Sequence, residues 1–274
     1  MSARRCGVLG DPVAHSLSPA LHRAAYDVLG LDWSYDAHRV PSGGLPAFLA
    51  GLDGQWRGLS LTMPLKREVV PLVDRLTDRA RLAGAVNTVV LEDSGERLGD
   101  NTDLPGAAAA VRERTPVPLT SAVVLGGGAT AGSVGLTLAD LGVRSIEVRV
   151  REAARAAETV AVLRSHPAGV DVRVAGLGAA PVEADVVVST IPASAQVPAL
   201  VEACRGVPVV FEALYDPWPT PLAASVTDEQ VLVGGLDLLV HQAALQLTLF
   251  TGLDAPLEAM REAGRRALAE RGRA

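Results

Sequence analysis

Ser121-Ala122-Val123-Val124-Leu125-Gly126-Gly127-Gly128-Ala129-Thr130-Ala131 joins a β-branched apolar run to a glycine turn and the start of a helical pattern. Ser121–Leu125 reads as a buried strand, Gly126–Gly128 as a tight turn, and Thr130–Leu141 as a helix closed by Gly142. In that context Gly126-x-Gly128-x-x-Ala131 is a dinucleotide fingerprint. The first glycine turns the chain, the second lets the backbone approach a pyrophosphate, and the small third residue lets helix and strand pack closely. The free N–H groups at the helix start then face the phosphates. A Walker-type phosphate loop needs a lysine, and the turn has none.

Ser145–Val150 follows as the next strand and completes one βαβ unit. The alternation continues through Glu152–Leu163, Val170–Val174, Asp185–Thr190, Ala193–Cys204 and Val209–Phe211. Where an NAD binder places an acid for the ribose 2′-hydroxyl, this chain has Arg151, with Arg155 one helical turn later. Two guanidiniums suit a 2′-phosphate and favour NADP. Glu152 between them either repels a phosphate or pairs with an arginine, which leaves NAD open.

Upstream, Cys6 to Asp103 again alternates short apolar runs with helical stretches: Gly7–Leu9, Pro19–Leu29, Trp33–Val40, Gly58–Leu61, Arg67–Leu76 and Val86–Leu91. Ser18 before Pro19 reads as a helix N-cap with proline at the first position, and Gly30 as the stop. Leu104–Arg114 is a connecting helix before the Pro116-Val117-Pro118 break. Downstream, Gly235–Thr251 and Pro256–Arg271 read as two helices with no strand between them. The expected class is α/β with two domains: residues 1–103, completed by helices of 236–274 that pack back on them, and a dinucleotide-binding domain over 104–235.

The 274 residues, 49% of them hydrophobic, suffice for a core in each domain. A net charge of −6, with arginines scattered among acids, argues against a nucleic-acid partner. The two cysteines, Cys6 and Cys204, form no CxxC pair, and the five histidines show no metal-binding spacing, so no metal is expected and a reducing cytoplasm fits. Neither a signal peptide nor an apolar run long enough to span a bilayer is evident. A small-molecule substrate is expected, and the chain reads as a monomer or a homodimer.

Lys66 is the one lysine among 25 Lys and Arg residues. A guanidinium holds its proton at any workable pH, whereas an ammonium can exchange one, so a solitary lysine is a candidate acid or base. Three further motifs hold polar residues that apolar packing does not explain: Gly10-Asp11-Pro12-Val13-Ala14-His15-Ser16-Leu17-Ser18-Pro19, Gly84-Ala85-Val86-Asn87-Thr88 and Gly99-Asp100-Asn101-Thr102-Asp103. Singly, each reads as readily as a turn or a cap. Gln242 falls four residues after Leu238 and three before Leu245, inside an apolar helix stripe, where a buried amide needs partners.

Taken in order, with Thr62, Lys66, the glycine turn, Tyr215-Asp216-Pro217, Thr220-Pro221-Leu222, Gly235, Leu239 and Gln242, these motifs resemble the shikimate dehydrogenase family along nearly the whole chain. That family reduces 3-dehydroshikimate to shikimate with NADPH, between an N-terminal substrate domain and a Rossmann domain. The resemblance implies that Lys66 and Asp103 form the catalytic pair, with Ser16 and Ser18 on the substrate carboxylate. It places Thr62, Asn87, Asp103 and Gln242 on ring hydroxyls, and Tyr215 beside the substrate. For the cofactor it implies Gly126, Gly127, Gly128, Ala129, Thr130 and Ala131, with Arg151, Arg155, Thr190, Gly235 and Leu238. His15 and His22 match the family's loop and helix and read as structural.

Departures are visible. The family usually writes Asn-Val-Thr where this chain has Ser60-Leu61-Thr62, so a hydroxyl is expected to replace one substrate amide contact. The adenosine motif keeps both arginines and loses two polar neighbours, and a methionine near the nicotinamide becomes Leu238. Other readings are a quinate or aminoshikimate dehydrogenase using NAD, a non-catalytic NADP-sensing relative and, on fold analogy, a methylenetetrahydrofolate dehydrogenase.

Overall fold

The computed structural model describes residues 3–178 and 180–271. The chain divides into two compact units, Met1–Thr102 with Leu239–Ala274, and Asp103–Leu238. In the first, strands β1 (Arg4–Gly10), β2 (Trp33–Arg39), β3 (Trp56–Leu61), β4 (Arg75–Leu76), β5 (Thr88–Leu91) and β6 (Arg97–Asp100) are interleaved with helices α1 (Ser18–Leu29), α2 (Leu45–Ala50), α3 (Leu65–Glu68) and α4 (Asp78–Ala83). In the second, α5 (Asp103–Arg114), β7 (Ser121–Leu125), α6 (Ala129–Asp140), β8 (Ser145–Val150), α7 (Ala157–Arg164), β9 (Asp171–Gly176), β10 (Val186–Ser189), α8 (Pro198–Ala203), β11 (Val209–Glu212), α9 (Pro221–Ala224) and β12 (Val231–Val233) follow one another. Helix α10 (Gly235–Thr251) returns to the first unit from Leu239 onward, and α11 (Leu257–Arg271) belongs there entirely.

The first unit holds a mixed sheet in the order β2-β1-β3-β5-β6-β4, in which β5 runs antiparallel to both neighbours. The second holds an all-parallel sheet ordered β12-β11-β10-β7-β8-β9. Its central strands bury both faces, which is why Val123–Leu125 and Val186–Val188 are uninterrupted apolar runs. Helix α6 is buried almost all round and needs small residues to be so. A Cβ on Gly135 would come within 2.6 Å of the Leu163 side chain of α7.

The expected helix over Arg67–Leu76 is not continuous. Helix α3 ends at Glu68, a 3₁₀ turn spans Val70–Leu72, and Val73 is extended at φ −108°, ψ 150° before β4 begins. Pro71 accounts for the break, because it has no N–H to return to the preceding turn. Ser18 is not the cap of α1 either. Leu17 occupies that position, while Ser18 is helical and buried and its N–H donates to Ser16 Oγ at 3.3 Å. Gly30 does stop the helix, in the left-handed region at φ 63°.

Within the first unit, α10 rests on β3 where Gly58 leaves room for a ring. A Cβ on Gly58 would sit 2.2 Å from the buried Phe250 ring, and Arg57 Nε donates to the Phe250 carbonyl at 3.2 Å. Gly58→Ala is therefore expected to destabilise the chain by about 1–3 kcal/mol, the usual cost of overpacking a core. Urea unfolding would show a lower midpoint at unchanged slope; an unshifted midpoint would show that the ring has somewhere to go.

Candidate functional site

Each candidate residue of the first unit sits on a segment fixed by its own backbone bonds. Thr62 follows β3, and its N–H donates to the Leu9 carbonyl at 2.9 Å. Its methyl fills the space over Gly10, where a Cβ would lie 2.3 Å from Thr62 Cγ2. Lys66 is half-buried on the short helix α3, and its carbonyl accepts from Val86 N at 2.7 Å, one residue before Asn87. Ser16, half-buried, and Ser18, buried, stand at the entry to α1.

Asn87 and Gln242 meet. Asn87 Nδ2 donates to Gln242 Oε1 at 3.2 Å and to Thr102 Oγ1 at 3.0 Å, while Asn87 Oδ1 accepts from Thr102 N at 2.8 Å. Gln242 Nε2 donates to the Leu239 carbonyl at 3.1 Å. Both amides are buried, at 1% and 7% exposure, so the polar residue in the apolar stripe of α10 has partners as a buried amide must. Ser60 is engaged within the protein. It is buried at 4% exposure, accepts from Tyr35 OH at 2.6 Å and donates to Gln246 Oε1 at 2.8 Å.

His22 braces the serine loop from below. Its ring stacks on Tyr35 with centroids 4.0 Å apart, and Nδ1 lies 2.9 Å from the Ser18 carbonyl, which requires the Nδ1–H tautomer. Burial pushes its pKa down to about 4, against a weaker opposing effect from the bond to Ser18. A histidine whose folded pKa is depressed lends stability that is complete above its unfolded value near 6.5 and is lost as pH falls toward 4. Between pH 7.5 and pH 5 this amounts to about 2 kcal/mol. Urea midpoints across that range should fall in the wild type and fall less in His22→Gln; equal slopes would remove His22 from the acid limb.

Asp100, part of the Gly99–Asp103 motif though not a candidate site residue, is a second buried anchor. Arg79 grips both its oxygens, and Thr77 Oγ1 and Asn101 N donate to Oδ1 at 2.6 and 2.7 Å. Burial works against the charge, but these donors outweigh it and hold the carboxyl below its ordinary range. The next two residues carry the chain through buried Thr102 to Asp103, which opens α5 in the second unit and is itself buried.

In the second unit the glycine turn has the form a pyrophosphate needs. Gly126 is at φ +113°, and a Cβ there would meet Thr190 Oγ1 at 2.3 Å. Thr190 donates from that oxygen to the Leu125 carbonyl at 3.0 Å, so it locks the turn from behind. Gly127 lies against Ala156, 2.9 Å from its would-be Cβ, and its carbonyl accepts from Thr159 Oγ1 at 2.7 Å. At Gly128, the cap of α6, a Cβ would meet nothing within 4 Å. Packing within the protein therefore does not demand that glycine. Gly128 is exposed at the start of α6, Ala129 and Thr130 are half-buried, and Ala131 is buried beneath them.

Arg151 and Arg155 are both exposed, and Glu152 pairs with Arg155 at 3.0 Å, one of the two roles open to that acid. The pair is solvated, so a phosphate can draw Arg155 away at little cost. Tyr215 is half-buried on a loop tied down by Glu212. That carboxylate is wholly buried and accepts from Leu214 N at 3.1 Å, Thr220 Oγ1 at 2.8 Å and Gln196 Nε2 at 2.7 Å. Burial raises its pKa against the pull of these donors. Gly235 touches the same loop, with Leu214 O 2.4 Å from where its Cβ would stand, and Leu238 is buried one turn on. Arg114 holds the head of α10 through both oxygens of Asp237, at 2.6 and 3.1 Å.

Residues 8–89 match the family described as the shikimate dehydrogenase substrate binding domain, and residues 235–263 the shikimate 5'-dehydrogenase C-terminal domain. The chain is 38% identical over 272 residues to the shikimate dehydrogenase (NADP(+)) of Methanopyrus kandleri, covering 94% of this chain and 93% of the relative. The solved shikimate dehydrogenase of Mycobacterium tuberculosis is 40% identical, with a TM-score of 0.86 over 96% of this chain and 99% of that one. The shikimate 5-dehydrogenase of Thermus thermophilus, solved with NADP(H) and shikimate, is 32% identical, with a TM-score of 0.83 over 97% of this chain and 100% of that one.

Proposed function

Because this chain belongs to the shikimate dehydrogenase family, we propose that it catalyses the reversible NADPH-dependent reduction of 3-dehydroshikimate to shikimate. The observation that carries this reading is the Asn87–Gln242 pair. Two amides brought together in a buried polar network suit a polyhydroxylated ring, whose hydroxyls both accept and donate.

On this reading the residues of the glycine turn, Gly126 to Ala131, hold the pyrophosphate, with Thr190 behind them, and Arg151 and Arg155 take the 2′-phosphate. Gly235 and Leu238 border the nicotinamide. NADPH, when bound, supplies the hydride that reduces the ketone carbon. Lys66 gives a proton to the developing alkoxide oxygen, and Asp103 orients Lys66 while accepting from a ring hydroxyl. Ser16 and Ser18 bind the carboxylate, Thr62, Asn87 and Gln242 fix the ring, and Tyr215 is a further substrate-binding residue. A carbonyl reduction needs a hydride donor and a proton donor, and this division of labour supplies one of each.

The test is oxidation of shikimate, quinate and aminoshikimate with NADP⁺ and with NAD⁺, followed by the absorbance of the reduced nicotinamide. Shikimate with NADP⁺ is expected to give the highest kcat/KM. Faster turnover of quinate with NAD⁺ would move the chain to that branch of the family, and no acid-dependent change with either cofactor would leave a cofactor-sensing protein.

A further inference from the structure

We infer that Gln246 is a positioning residue of this reaction, bracing the Asn87 amide, and through it Gln242, from behind by a buried polar relay. The inference rests on the reading just given. It begins from a group that can only accept. The Asn87 carbonyl takes a bond from Leu61 N at 2.8 Å, and the Gln246 amide lies against it at 3.2 Å. An amide oxygen there would face another oxygen, so that end of Gln246 is Nε2.

The remaining directions follow. With Nε2 toward Asn87, Gln246 Oε1 faces Ser60, whose Oγ donates to it at 2.8 Å and itself accepts from Tyr35 OH at 2.6 Å. The second Nε2 hydrogen goes to Thr88 Oγ1 at 3.0 Å, so the Thr88 proton turns to Asn87 Oδ1 at 2.8 Å. Asn87 Oδ1 accepts there and also from Thr102 N at 2.8 Å, so its two Nδ2 hydrogens go to Gln242 Oε1 and Thr102 Oγ1, and Gln242 Nε2 points the other way with one hydrogen on the Leu239 carbonyl. Every member is buried, with Gln246, Thr88 and Tyr35 at 0% exposure, so water cannot replace a missing link cheaply. The relay and the Thr102 backbone together hold the Asn87 amide, and through its bond to Gln242 they leave a Gln242 N–H for a ring hydroxyl.

The experiment compares wild type with Gln246→Leu, which keeps the volume and removes the amide, and with Ser60→Ala, which removes the donor to Oε1 together with the acceptor of the Tyr35 hydroxyl. KM for shikimate is expected to rise about tenfold in Gln246→Leu and about threefold in Ser60→Ala, from loss of a bond that leaves buried partners unmet. The Kd for NADP⁺, measured by calorimetry, is expected to be unchanged in both. Folded variants with the wild-type KM overturn the inference, as does an equal loss of NADP⁺ affinity, which would mark general loosening. Should Gln246→Leu fail to fold, Ser60→Ala decides alone: a raised KM supports the relay and a wild-type KM ends it. A wild type that does not oxidise shikimate at all overturns the assigned reaction and the inference with it, a result distinct from an active wild type whose variants match it.

Discussion

Replacing Lys66 with methionine is expected to lower kcat by about 10²–10⁴-fold, the range over which a positioned proton donor acts. KM for shikimate and the Kd for NADP⁺ should move far less. Leu65, wholly buried next to Lys66, anchors α3, and the tie to the following strand is made by the Lys66 carbonyl at 2.7 Å from Val86 N. Lys66→Arg should recover little, since charge returns without a transferable proton. Near-wild-type kcat in the arginine variant would reduce the lysine to an electrostatic part, and near-wild-type kcat in the methionine variant would remove it from the chemistry.

Gly126→Ala should weaken NADP⁺ binding by about 30-fold or more while leaving shikimate binding close to wild type. At φ +113° an L-residue costs about 1–3 kcal/mol, and its Cβ would also stand 2.3 Å from Thr190 Oγ1. The strain is relieved only by moving the turn, and with it the start of α6, whose N–H groups are placed for the phosphates. Adding Thr190→Ala removes the contact but not the backbone penalty, so the double variant should recover part of the affinity and no more. Calorimetric titration of both variants checks this; wild-type affinity in Gly126→Ala would mean that the turn tolerates displacement.

The parallel sheet of the second unit was legible because its strands are buried on both faces and write continuous apolar runs between glycines, as Ser121–Leu125 and Gly126–Gly128 do. The short elements were not. Helices α2, α4 and α9 and strands β4, β6 and β12 are too brief for a period to declare itself, and each is held by partners distant in sequence. Strand β6 survives as Arg97–Asp100 because β5 and β4 flank it, a reason no local propensity carries. Among the candidate site residues, Gln242 stood out as a polar interruption of an apolar stripe. Gln246 interrupts the same stripe four residues later, and that spacing was the available signal. Ser60 carried none: a serine in a strand is ordinary, and only Tyr35 and Gln246 on either side of its hydroxyl give it meaning. Ser18 misled for the opposite reason, since a serine before a proline is so often a cap.

Phe250 over Gly58 has a temporal side. The sheet that carries Thr62, Lys66 and Asn87 is covered by a helix encoded well over a hundred positions later. A ribosome adding ~5–20 residues each second therefore leaves that surface bare for some seconds, while the contiguous 103–238 segment emerges. Nascent chains stalled before Phe250 should bind trigger-type chaperones through the uncovered sheet, and the substrate half of the enzyme is completed last although it is made first.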